Sequence, residues 1–239
     1  MRRRAAKLAI ALAVGSSLAA CASPGDGQRY RDLRPAANPS AVVATELAFA
    51  RAAQEKGQWA AFRQFAADDA VMFVPQPVKA KDWLKGRAEP AVAVKWQPYE
   101  VWMSCDGSLA VTKGASQRPK GVGYFTTVWR RQKNGDYKWV LDQGDALKEP
   151  LPEPEMIAGQ VADCGGRAIR DAAAADFEAN LDASDFSEGA GVASELHESD
   201  DGTLIYTYAV EPNGARKFRV GLLQDGEFRP VLRSDVAAE

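Results

Sequence analysis

The chain of 239 residues is 46% hydrophobic and 26% charged, with a formal net charge of −2, a composition of the soluble globular kind. One histidine (His197) and three cysteines (Cys21, Cys105, Cys164) exclude an HExxH helix, a three-histidine zinc site and a two-histidine facial triad. The charge balance argues against nucleic acid as a partner, because phosphate contacts need clustered Lys and Arg.

Residues 1–20 read as a signal segment. Arg2, Arg3, Arg4 and Lys7 precede a largely apolar stretch from Leu8 to Ala20, too short for a membrane span of about 20 residues. The stretch ends in Leu18-Ala19-Ala20-Cys21, which resembles the bacterial lipoprotein box. That resemblance implies cleavage before Cys21 and lipidation of its thiol; a plain secretory signal with Cys21 unmodified is the alternative. Cleavage removes four of the 30 basic residues against 32 acidic ones, leaving a charge of about −6. By resemblance to Gram-negative lipoprotein sorting, Ala22 in place of aspartate implies the outer membrane, so the expected location is the cell envelope, lipid-anchored and facing the periplasm. Residues 21–38 then form a flexible tether reaching about 20–25 Å.

Asn38-Pro39 predicts a helix start, asparagine as cap and proline at the first position. Val43, Leu47, Ala50 and Ala53 continue the period and Gly57 ends it. A second short helix carries Trp59, Phe62 and Phe65. An apolar run follows from Ala70 to Val74, with Asp68-Asp69 before it as a cap and solvated turn. Asp82 to Ala88 suggests a further helical turn with Asp82 as its cap and Lys85 on the surface. Two hairpins come next: Trp96–Ser104 with Leu109–Gln117, then Val122–Gln132 with Asp136–Asp145, the second joined at Asn134-Gly135. Residues 148–156, with three prolines, form a stiff joint. Residues 157–239 read as a β-meander after one short helix around Ala172–Ala175, Phe177 and Leu181, each strand with a single buried face. No internal repeat of the first unit is detectable. The fold class is α+β, helices on a curved antiparallel sheet followed by a small β-rich unit.

Residues 39–147 resemble the nuclear transport factor 2-like superfamily in its SnoaL-like, ketosteroid-isomerase-like branch. The resemblance is carried by Glu46-Leu47-Ala48-Phe49, Trp59-Ala60-Ala61-Phe62, Phe65 to Val71, Trp96, Ser104 to Gly114, Gly123 to Gln132 and Gly135 to Gly144. It implies a cone-shaped sheet wrapping helices around an apolar pocket, and a homodimer through the sheet. It does not imply an activity, since such folds host isomerases, dehydratases and binding modules alike.

Asp142 sits in an apolar strand, where desolvation would raise its pKa into the range of a general acid or base. Tyr124, with Tyr99 and Tyr137, could supply a hydroxyl to a developing oxyanion. The structural alternative has Asp142 ending its strand and accepting hydrogen bonds from backbone or Lys113. A second acid to pair with Asp142 is not visible in the spacing. Trp96, Tyr99, Trp129 and Trp139 are the candidate pocket wall, and strict alternation puts Trp102 on the face of Trp96. Trp83 reads as packing and His197 as a surface strand residue. Cys105 and Cys164 form either a disulfide or two buried thiols. No metal or other cofactor is implied. The favoured reading is a lipid-anchored, non-catalytic module for a small apolar ligand or a partner. An isomerase or dehydratase using Asp142 with a tyrosine is the alternative.

Overall fold

The computed structural model describes residues 37–166 and 193–238, together with Asp171, Ala174 and Phe177. The signal segment, Cys21 and the tether up to residue 36 lie outside the described residues, as does most of the helix expected over 172–181. No helix among the described residues is long and apolar enough to cross a membrane.

Helix α1 runs Pro39–Lys56, opened by the Asn38 side chain accepting from the Ala41 amide. Val42, Glu46, Phe49, Ala52 and Ala53 form its buried stripe, at the three- to four-residue spacing of one helix face. Gly57, at φ 105°, turns the chain into α2 (Gln58–Phe65). Its side of α2 is capped from a distance: the Glu89 carboxylate accepts from the Trp59 and Ala60 amides at 2.7 and 2.8 Å. A side chain at Gly57 would collide with that carboxylate.

Strand β1 spans Ala66–Phe73, so the run expected from Ala70 begins earlier and includes Asp68 and Asp69. These acids stand on an irregular strand rather than in a turn. Asp69 receives both terminal nitrogens of Arg130, at 3.0 and 2.6 Å, and Asp68 lies 3.5 Å from Lys81. After β2 (Pro77–Lys79), α3 is one turn, Ala80–Trp83. Asp82 lies inside it, with Lys79 at the cap position, because the chain becomes helical two residues sooner than the Asp82 signal suggests. Strands β3 (Lys95–Met103), β4 (Leu109–Arg118), β5 (Gly121–Arg131) and β6 (Tyr137–Leu147) make the two expected hairpins.

The first sheet has seven strands in the order β2-β1-β6-β5-β4-β3-β7. It is mixed rather than antiparallel, since β1 runs parallel to β6 and β7 (Ala158–Val161) parallel to β3. The proline-rich segment thus returns the chain to the edge of the first sheet, and the start of the expected 157–239 unit is a strand of that sheet. Close strand approach demands glycine at two bends. A Cβ on Gly114 would strike the Gln97 carbonyl, and one on Gly144 the Tyr124 carbonyl.

Strands β8 (Ala193–Glu198), β9 (Leu204–Val210), β10 (Arg216–Gln224) and β11 (Glu227–Val236) form an antiparallel sheet in the order β11-β10-β9-β8. All seven residues of β9 are buried, where alternation predicts one exposed face. One face of this sheet meets the first sheet; on β10, Phe177 packs against Gly221 and against the ring of Phe228.

This sheet repeats β3–β6 in detail. The turn Ser104-Cys105-Asp106-Gly107-Ser108-Leu109 and the turn Ser199-Asp200-Asp201-Gly202-Thr203-Leu204 carry the same hydrogen bonds. In each, the serine hydroxyl donates to the aspartate at 2.8 Å and accepts from the leucine amide at 3.1 Å. Gly135 and Gly226 turn the next hairpins at φ 90° and 84°. Both hairpins then bulge at the fifth residue after that glycine, Val140 and Val231, which the pairing skips. The repeat escapes the sequence because few side chains are shared outside the turns. The two meanders meet symmetrically. Tyr124 bonds Ser234 at 2.6 Å while Arg216 donates to Gln143 at 3.3 Å, and the two serine turns clasp through Cys105 to Thr203 and Asp200 to Ser108, both at 2.9 Å. The face through which the resemblance implied dimerisation is therefore covered by the chain's own second meander.

Cys105 and Cys164 are bonded, with Cα atoms 5.3 Å apart. The bond ties the first serine turn to the segment leaving β7. Closing a loop of 59 residues' separation stabilises by about 4 kcal/mol in the chain-entropy model. The Cys105→Ala, Cys164→Ala protein should lose stability of that order in denaturant unfolding, and reductant should produce the same loss in the native chain only.

Candidate functional site

The concave face of the first sheet closes over α1 and α2 around a cavity of about 370 Å³. Aromatic side chains wall it: Phe49 from α1, Trp59 and Phe62 from α2, Trp96 from β3 and Phe125 from β5. They meet edge to face, Phe49 with Phe62 at 4.9 Å and with Trp96 at 4.8 Å, the geometry their quadrupoles favour.

Glu46 lies beneath this wall with no exposed surface. It occupies the apolar stripe of α1 and is held by three donors from three strands. Trp96 Nε1 donates to Oε1 at 2.7 Å; Thr112 Oγ1 and Trp129 Nε1 donate to Oε2 at 2.6 and 3.0 Å. Burial raises its pKa and the three hydrogen bonds oppose that rise. This is the second acid that the spacing does not reveal. The available signal was an acid at the fourth position after Val42 and three before Phe49, inside an apolar face.

Asp142 stands on β6 at the cavity wall. Its pKa is pushed up to about 8, first by desolvation and further by the charge of Glu46, while a 2.9 Å hydrogen bond from Thr127 pulls the other way. The carboxyl is half-buried only because it faces the cavity; protein surrounds it otherwise. Lys113 is not its partner, since that residue pairs with Thr126 on the opposite face of the sheet. At neutral pH Asp142 is mostly protonated, and so a hydrogen-bond donor rather than a ready base.

The remaining expected site residues separate. Tyr124 is among the residues lining the cavity, but Thr127 pairs with Asp142 and Tyr124 with Asp145, so strand alternation turns the Tyr124 side chain away from the face of Thr127. There its hydroxyl bonds Ser234, and burial raises its pKa. Trp96 lines the cavity; Trp129 and Trp139 are fully buried in the core beneath it, Trp139 donating to the Phe62 carbonyl at 3.2 Å. Tyr99 falls at a bulge, where pairing jumps from Pro98–Gly114 to Glu100–Lys113. That bulge inverts the alternation and puts Trp102 on the face opposite Trp96. Tyr137 donates to the Gly107 carbonyl at 2.8 Å, away from the cavity. Trp83 packs on Trp59 with Arg87 stacked over it, and His197 stacks on Tyr206 at 4.6 Å. Sequence spacing misses Trp59 and Phe62 as wall residues, because only the sheet's curvature brings α2 over β6. No group of three or more His, Cys, Asp or Glu among the described residues is placed to hold a metal ion.

No protein-family model and no curated protein matches the sequence. Solved structures resemble about half of it. A candidate ketosteroid isomerase from Parabacteroides distasonis is 17% identical with a TM-score of 0.36, covering 48% of this chain and 97% of its own. A candidate aromatic ring hydroxylase from Novosphingobium aromaticivorans is 13% identical with a TM-score of 0.35, covering 47% and 91%. An NTF-2 like protein of unknown function from Burkholderia xenovorans is 16% identical with a TM-score of 0.32, covering 48% and 89%. Identities this low say nothing of what this chain binds.

The raised pKa of Asp142 has a defined consequence for stability. The folded state holds this proton more tightly than the unfolded chain. Its contribution is therefore full below the ordinary value of 3.8 and is lost as pH rises through about 8. Asp142→Asn should be progressively more stable relative to the native protein across that window, read as the difference between their melting temperatures at each pH.

Proposed function

We propose that this chain is a lipid-anchored envelope protein whose aromatic cone binds a small, mostly apolar ligand without transforming it. The observation that carries the reading is a cavity of about 370 Å³, within the range of small-molecule sites, walled by aromatics with a single acid, Asp142, facing it. Such a cavity rewards apolar burial, and one protonated carboxyl orients the ligand through a donated hydrogen bond.

Proton-transfer catalysis of the isomerase kind needs a base and a second polar group at the same reacting centre. Among the acids and tyrosines that could pair with Asp142, Glu46 is saturated by donors beneath the wall and the Tyr124 hydroxyl is bonded to Ser234, while Ser116 and Arg118 are the other polar groups of the wall left open. The enzyme reading retains one observation in its favour, the pKa of Asp142 near 8 at the cavity wall. The lipid anchor is inferred from Leu18-Ala19-Ala20-Cys21 and the basic residues before it; with two or more acyl chains on Cys21, membrane attachment would be stable.

Two measurements test the proposal. Native mass spectrometry of protein purified from the envelope should find a small apolar molecule retained by both the native chain and Asp142→Asn. An unoccupied native chain, or a variant that accumulates a ligand the native chain converts, would overturn the non-catalytic reading. In fractionated cells, Cys21→Ser should move from the membrane pellet to the soluble periplasm.

A further inference from the structure

We propose that the cone's ligand is an apolar molecule bearing one carboxylate, which Arg118 and Ser116 hold at the cavity's mouth. This rests on the ligand-binding reading and names the ligand's class.

Along β4, Thr112, Gly114, Ser116 and Arg118 share the concave face, since side chains alternate and β4 pairs with β5 without a bulge. Thr112 is consumed at the base by Glu46. Ser116 and Arg118 stand farther up the strand, and both line the cavity. Ser116 is only 7% exposed, and its hydroxyl has no hydrogen-bond partner. A buried hydroxyl in that state carries the cost of its lost hydration until something polar meets it. The room beside it is enforced by its partner on β5, Gly123, where a Cβ would approach the Ser116 oxygen to 2.9 Å.

Arg118 is half-buried, and no carboxylate among the described residues pairs with its guanidinium. A guanidinium is donor-only and always charged, and its planar fork matches a carboxylate. Two residues on one strand face stand about 7 Å apart, so the Arg118 arm and the Ser116 hydroxyl can converge on one head group. The other long polar side chains in the wall are already engaged: the Gln58 carbonyl oxygen accepts from the Val94 amide at 3.0 Å, and Gln143 donates to Ser234 and accepts from Arg216. Below the pair, Trp96 lies directly across from Ser116 in the sheet, and Phe62 and Phe125 continue the apolar wall. One end of the cavity therefore offers positive charge and an unmet donor, and the rest offers hydrocarbon and aromatic surface. Asp142, protonated at neutral pH, adds no opposing charge.

Isothermal titration calorimetry on the soluble Cys21→Ser chain tests this with two probes of one shape, naphthoate and naphthylmethanol. Naphthoate should bind about tenfold more tightly, the value of one charge-assisted hydrogen-bonded pair. Arg118→Gln should abolish that preference by weakening the acid far more than the alcohol, while Ser116→Ala should weaken the acid by a smaller factor. Melting curves for each variant establish that it is folded. Equal affinities in the unsubstituted protein, or a preference that survives Arg118→Gln, would overturn the assignment while leaving the apolar cavity standing. Failure of both probes to bind would overturn the cavity reading together with it.

Discussion

The Glu46 carboxyl ties the first unit together. One side chain on α1 meets β3 through Trp96, β4 through Thr112 and β5 through Trp129. A carboxyl removed from water is costly unless its oxygens are met, and here all three donors come from different strands. The helix can occupy only one depth and one rotation in the concave face. The position of Trp96 as a cavity wall follows from that placement, and the charge of Glu46 adds to the desolvation that raises the pKa of Asp142.

A second constraint works on the other face. Strands β3–β6 would leave a broad outer surface of Trp102, Val111, Thr126 and Val128 open to water. The chain covers it with β8–β11, a meander that reuses the same serine turn, hairpin and bulge. Paired contacts of Tyr124 with Ser234 and Arg216 with Gln143 relate the halves about an approximate two-fold axis. The Cys105–Cys164 bond and the clasped turns fasten one end of this arrangement. Both faces of the central strands are thereby buried, and the aromatic-walled space lies between the concave face and the two helices.

Function follows from how polar groups are distributed around that space. Most are satisfied within the protein: Glu46 by its donors, Tyr124 across the sheets, Gln58 by backbone. Those left toward the cavity are a protonated Asp142, the Ser116 hydroxyl and the Arg118 guanidinium. On the proposed reading these groups would orient a ligand whose affinity came mostly from aromatic contact.

Much of this is legible in the sequence. Asn38-Pro39 and Asn134-Gly135 dictate local geometry through capping and positive φ, so α1, α2 and the two hairpins of the first sheet sit within a residue or two of expectation. The apolar setting of Asp142 was visible too, since Trp139, Val140 and Leu141 lead up to it. Other features depend on contacts between residues far apart in the chain. A bulge at Tyr99 inverts Trp102, the parallel return of β7 moves a strand between units, and Glu46 finds Trp129 across 83 residues. Sequence alone determined α1, α2 and the hairpins, because turn and cap energetics are local. Only the tertiary structure decided which side chains share a face, because a single skipped residue in a ladder reverses every orientation after it.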